Sequence, residues 1–103
     1  MTNSGPDDFE RTLAALAEDF KQSLTTTRAE INLAWESALA GNDAALARLL
    51  VLVHRLSGSA ASFGLPMVAA AAEAFEQELR GSAATASHAG SMARLDQQLS
   101  DPA

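Results

Sequence analysis

The sequence predicts an all-α protein, an antiparallel four-helix bundle with a short N-terminal lid helix. Three observations carry that prediction. Alanine and leucine dominate while β-branched residues are scarce and tyrosine is absent, a composition of good helix formers. Apolar residues recur at three- and four-residue spacing in four stretches, as amphipathic helices require. Glycine and proline fall between those stretches, at Gly41, at Gly64-Leu65-Pro66 and at Gly81, where they stop one helix and open the next.

Residues 1–5 are small and polar and are expected to be disordered, leaving 6–103 as one bundle domain. Pro6-Asp7-Asp8 suits a helix start, because proline fits the first helical position and acidic residues favour the first turn. Leu13, Leu16, Phe20, Leu24, Ile31, Trp35 and Leu39 then keep helical step as far as Gly41. As one straight helix this stretch would run ~52 Å, against ~32 Å for the helix after Gly41. Leu13, Leu16 and Phe20 are too apolar to project into water. The expectation is therefore a break near residues 18–23, with the first segment folded over the bundle as a lid.

Asn42 or Asp43 caps the second helix, which runs to about Phe63. Its core stripe is Leu49, Leu52, Val53, Leu56, Ala60 and Phe63. The third helix spans 66–80, with Val68, Ala69, Ala72, Phe75 and Leu79 on one face. The last covers 84–100, with His88, Met92, Leu95 and Leu99 in step and Gly90 weakening its first half. Trp35 and His88 both lie on apolar stripes and are assigned to the core.

Composition also removes several functions. The chain has no cysteine and two distant histidines, which disfavours a metal site. Its formal charge is −6 with seven scattered Lys and Arg, so neither nucleic acid nor anionic lipid is an expected partner. The longest apolar run, Leu49 to Val53, is far short of the ~20 residues that span a bilayer. The first residues lack the basic and apolar regions of a signal peptide. A monomeric cytoplasmic protein is the expectation, with no phosphate-binding loop or catalytic triad of its own.

One histidine stands out. Measured from His54, the helix face contains Ala47, Leu50, Val51, Ser57, Gly58 and Ala61, on the side away from the core stripe. Gly58 costs a helix interior about 0.5–1 kcal/mol relative to alanine, and it strips away the side chain that would shield the ring. Reflecting His54 across the Gly41 turn lands on Arg28, and across Leu65 on Glu76, so both are expected near its height. Glu76 can accept the Nδ1 proton and leave Nε2 with its lone pair. Ser57 and Arg28 can serve a bound anion.

His54-x-Leu56-x-Gly58-Ser59-Ala60, with Gly64 ten positions after the histidine, resembles the signature of histidine-containing phosphotransfer (HPt) domains. The resemblance implies a carrier without a nucleotide site, not an enzyme in its own right. His54 would take a phosphoryl group from one receiver-domain aspartate and pass it to another. It also implies response-regulator receivers and a hybrid histidine kinase as partners, docking over Ala47, Leu50, Val51, Arg55 and Ala61. No cofactor belongs to this chain on that reading; Mg²⁺ is expected on the receiver. Many family members have lysine where this chain has Ser57, and commonly glutamine at the level of Glu76. The serine favours an alternative, a degenerate bundle that binds receivers without transfer. A kinase dimerisation domain is not the expectation, because it would form two-helix hairpins that dimerise and would be followed by an ATP-binding domain, for which 103 residues leave no room.

Overall fold

A computed structural model describes residues 6–81 and 85–102; the expectation for residues 1–5 falls outside them. Four helices follow in order: α1 (Pro6–Leu39), α2 (Asp43–Ser62), α3 (Pro66–Leu79) and α4 (Ala89–Ser100). A 3₁₀ turn, Thr85–His88, precedes α4. α1 packs on α2 and α4, and α3 packs on the same two, so the helices close a ring around one core. Leu24, Ile31, Leu49, Val53, Val68, Phe75 and Leu95 fill it, all essentially inaccessible. Trp35 is in that core, its ring edge-on to Phe75 with centroids 5.6 Å apart.

Two turns share one geometry. Gly41 (φ +95°) and Gly64 (φ +76°) occupy the left-handed region that side chains disfavour. At each, the next amide reaches back five residues, Asn42 N–H to the Ser37 carbonyl (3.1 Å) and Leu65 N–H to that of Ala60 (2.9 Å). These helix-ending motifs satisfy carbonyls that would otherwise be orphaned. Asn42 then caps α2, its Oδ1 accepting from Ala45 N–H at 3.0 Å.

α2 is long and apolar enough to span a bilayer by length and composition alone. One side of it is bundle core, however, with Leu49, Val53, Leu56 and Ala60 buried and Leu52 and Phe63 half-buried. The other side carries Arg48, His54 and Arg55, all exposed.

The lid helix is a correction. α1 is a single helix of 34 residues with no break near 18–23. Glu18-Asp19-Phe20-Lys21-Gln22-Ser23 contains neither glycine nor proline, and a break there would sacrifice several backbone hydrogen bonds and require a new, costly helix nucleus. Phe20 stacks on Phe63 at 5.0 Å, and the bundle ends at that level. Residues 6–19 of α1 project beyond that level, leaving Phe9, Leu13 and Leu16 exposed at 65%, 46% and 47%. The projection shows in the radius of gyration, 16.0 Å, against about 13 Å for a compact chain of this length.

His88 is buried, as its stripe predicts, but as the residue that leads into α4 rather than within a helix from 84. Its Nδ1 meets a Glu78 carboxylate oxygen at 3.2 Å, and Ser91 Oγ donates to the other oxygen.

Candidate functional site

His54 stands on the middle of α2, where the core stripe turns its side chain outward; the side chain is 69% exposed. Its Nδ1 lies 2.9 and 3.2 Å from the two oxygens of Glu76 on α3, so the Nδ1–H donates to the carboxylate. That fixes the tautomer in which Nε2 carries the free lone pair. Glu76 is nearly covered, its side chain 11% exposed. Its Oε2 also accepts from Arg80 Nε (3.1 Å) and Nη2 (2.9 Å), one turn further along α3. Burial pushes the Glu76 carboxyl up, but the hydrogen bonds from Arg80 and His54 outweigh it and hold the group below its ordinary range. A charged carboxylate is thus clamped between an imidazole and a guanidinium.

Of the residues expected around His54, Glu76 arrives at hydrogen-bond distance. Gly58 is exposed, and a Cβ built on it would meet nothing within 4 Å, so the surface beside the ring is open. Ala47, Leu50, Val51 and Arg55 line a shallow concavity together with His54 and Arg80. Gly58, Ser59, Ser62 and Phe63 line a second one on the other side of the ring. Ala61 is exposed but lines neither.

Two expected helpers are placed otherwise. Ser57 Oγ donates to the His54 carbonyl at 2.8 Å, a bond within its own helix, rather than toward the ring. Arg28 is not at the site. It faces α4, where Nε and Nη2 grip both oxygens of Asp96 at 2.7 and 2.9 Å, and Asn32 Nδ2 adds a third bond at 2.9 Å. Level-matching gives height along the bundle but not direction around a helix, and Arg28 points to the wrong neighbour. The hydrogen bonds from Arg28 and Asn32 hold the Asp96 carboxyl down at about 2.

The cation that grips Glu76 beneath His54 is Arg80, which height along the bundle does not single out. Its signal was legible: Glu76 and Arg80 are four apart on one helix, the spacing at which opposite charges meet. No cluster of His, Cys, Asp or Glu capable of holding a metal occurs among the described residues.

Such a site offers a solvent-facing nitrogen nucleophile with its second nitrogen fixed, and an open surface around it for a donor to approach. The Hpt domain family model matches residues 15–101 of the 103. The chain belongs to the Hpt domain family. No curated protein and no solved structure matches the chain. Membership carries a histidine phosphotransfer role in phosphorelay signalling, and this Hpt domain has the four-helix architecture the family implies.

Proposed function

We propose that this Hpt domain is a phosphorelay carrier in which His54 Nε2 is the phosphoryl acceptor. The observation that carries the reading is the exposed His54 ring with Nδ1–H held by the nearly covered Glu76 carboxylate, which the solvent-exposed Arg80 guanidinium grips in turn. The Nε2 lone pair attacks the phosphorus of a receiver aspartyl phosphate in line. The bond from phosphorus to the aspartate oxygen breaks, and that carboxylate leaves with the electron pair. Positive charge develops on the ring as the new bond forms, and Glu76 meets it through Nδ1–H. The reverse step delivers the group to a second receiver aspartate. Mg²⁺ and the remaining charge neutralisation come from the receiver, which sits over Ala47, Leu50, Val51 and Gly58.

Response-regulator receivers and a hybrid kinase are the proposed partners, in the cytoplasm. A second reading, receiver binding without transfer, is favoured by Ser57, whose hydroxyl is engaged with its own helix where many family members have a lysine. One experiment separates the two. The chain is incubated with a ³²P-labelled phosphoreceiver and assayed for acid-labile, alkali-stable label. Label on the wild type and none on His54→Gln is the expected result. An unlabelled wild type that still binds the receiver would favour the second reading, and label on His54→Gln would remove His54 from the role.

A further inference from the structure

The projecting part of α1 has a pattern that the phosphotransfer site does not use. At 100° per residue, Leu16, Leu13 and Phe9 all lie within about 40° of Phe20 on the helix wheel. Phe20 faces the end of α2, where it stacks on Phe63. The stripe therefore continues the core-facing side of α1 beyond the bundle, where it has no cover among the described residues. Its spacing is four, three, four, the seam of a two-helix coiled coil, so the shape that fits it is another helix.

We propose that this stripe is a self-association site, on which a second copy of the chain lays its own α1 antiparallel. The stripe is palindromic. A two-fold rotation sets Phe9 against Phe20 of the second copy and Leu13 against Leu16, apolar on apolar at every layer, as an isologous contact requires. Direction follows from the fold. Above Phe20 the side of α1 that carries the stripe is covered by α2, so a parallel second helix would run into it, whereas an antiparallel one ends there. Length agrees as well. Residues 6–19 project about 21 Å, and with Phe9 beside the other copy's Phe20 the tip of α1 stops where that bundle begins.

The paired segment is acidic, with Asp7, Asp8, Glu10, Glu18 and Asp19 against Arg11, and this repulsion weakens the contact, but no like charges meet directly across the seam. Glu10 and Asp19 flank the seam, and in the antiparallel register they face Ala17 and Thr12 of the second copy. The exposed parts of Phe9, Leu13 and Leu16 amount to roughly 300 Å² per copy, taking about 200 Å² for each side chain. The two copies together bury about 600 Å² of it, below the ~1,200 Å² at which stable specific interfaces begin, so the dimer is weak and concentration-dependent. The monomer expected from composition is then the dilute state. His54 lies nine residues up α2 from Phe63, about 14 Å from the paired end, and stays open in the dimer.

The test is sedimentation velocity on the full chain from about 1 µM to about 1 mM, the range in which a weak dimer forms. A shift toward dimer with rising concentration is expected, abolished in the double variant Leu13→Glu, Leu16→Glu, with unchanged helicity by circular dichroism. Because the chain has no cysteine, an equal mixture of Leu13→Cys and Leu16→Cys proteins reports direction. Mild oxidation should give mixed disulfides well beyond the half that random pairing yields. A monomer at every concentration, same-residue disulfides in excess, or a double variant that dimerises like wild type would each overturn the proposal. A chain that stays monomeric while the double variant loses receiver-dependent labelling would assign the stripe to the receiver instead.

Discussion

Removing the acceptor beneath His54 is the most direct probe of how the site works. Glu76→Ala deletes the carboxylate 2.9 Å from Nδ1 and leaves Arg80 without its partner. A hydrogen bond to a charged group contributes about 1.5–3 kcal/mol and a neutral one about 0.5–1.5. The ring is 69% exposed, so water screens the contact and the lower end applies. The bond strengthens as the ring gains charge, so its loss falls mainly on the transition state. About 1.5–2 kcal/mol corresponds to transfer slowed roughly 10- to 30-fold. Glu76→Gln keeps an oxygen that accepts Nδ1–H but loses the charge, about 0.5–1 kcal/mol or a two- to fivefold slowing. The assay is single-turnover transfer from a labelled phosphoreceiver under saturating conditions, with circular dichroism to confirm that both variants are folded. A folded Glu76→Ala that transfers at the wild-type rate would refute the reasoning. So would Glu76→Gln as slow as alanine, because the charge rather than the acceptor would then dominate.

Gly58→Arg should fold, since open space surrounds that position, and should gain helix stability of about 0.5–0.8 kcal/mol from propensity; receiver-dependent labelling should nevertheless fall steeply, and normal labelling would dismiss close approach as the reason for the glycine. Asp96→Asn should lower the melting temperature at neutral pH while leaving labelling intact, because the α1–α4 clasp is away from His54. The sign of its pH dependence follows from a carboxyl held down at about 2 from an ordinary 3.8: the clasp contributes fully above about pH 4 and fades as pH falls toward 2. The melting difference between wild type and Asp96→Asn should shrink over that window, and a constant difference would show that charge is not its source. Arg28→Ala should likewise cost stability and spare transfer, and slow transfer in a folded Arg28→Ala would return that residue to the site.

Helix order and the turns were legible because glycine and proline mark them and each helix buries a single stripe. The same logic misjudged α1. Apolarity at Leu13 and Leu16 argues for burial, but burial needs a break, and Glu18 to Ser23 offers no residue that makes one. Local backbone preference prevailed over exposure of the stripe. At the site, height along the bundle is recoverable from turn positions, which brought out Glu76. Direction around the helix is not, which is how Arg28 was drawn to the wrong face and Arg80 passed over. Ser57 is at the expected position, but a serine inside a helix can bond the carbonyl three residues back, and this one does.

The clamp on Glu76 also bears on how long a phosphoryl group would keep. The exposure that would let a receiver reach His54 lets water reach it equally well. Hydrolysis of a phosphorylated ring is quickened by a neighbouring carboxylate free to take a proton from an attacking water. Glu76 is in contact with the ring, yet its oxygens are engaged by Nδ1–H and the Arg80 guanidinium, and it lies on the Nδ1 side rather than beside Nε2. On the proposed reading, the group that would ready the nitrogen for capture is thereby kept from spoiling the cargo. Shelf life and reactivity would both depend on one carboxylate, and loosening Arg80 would trade the first away.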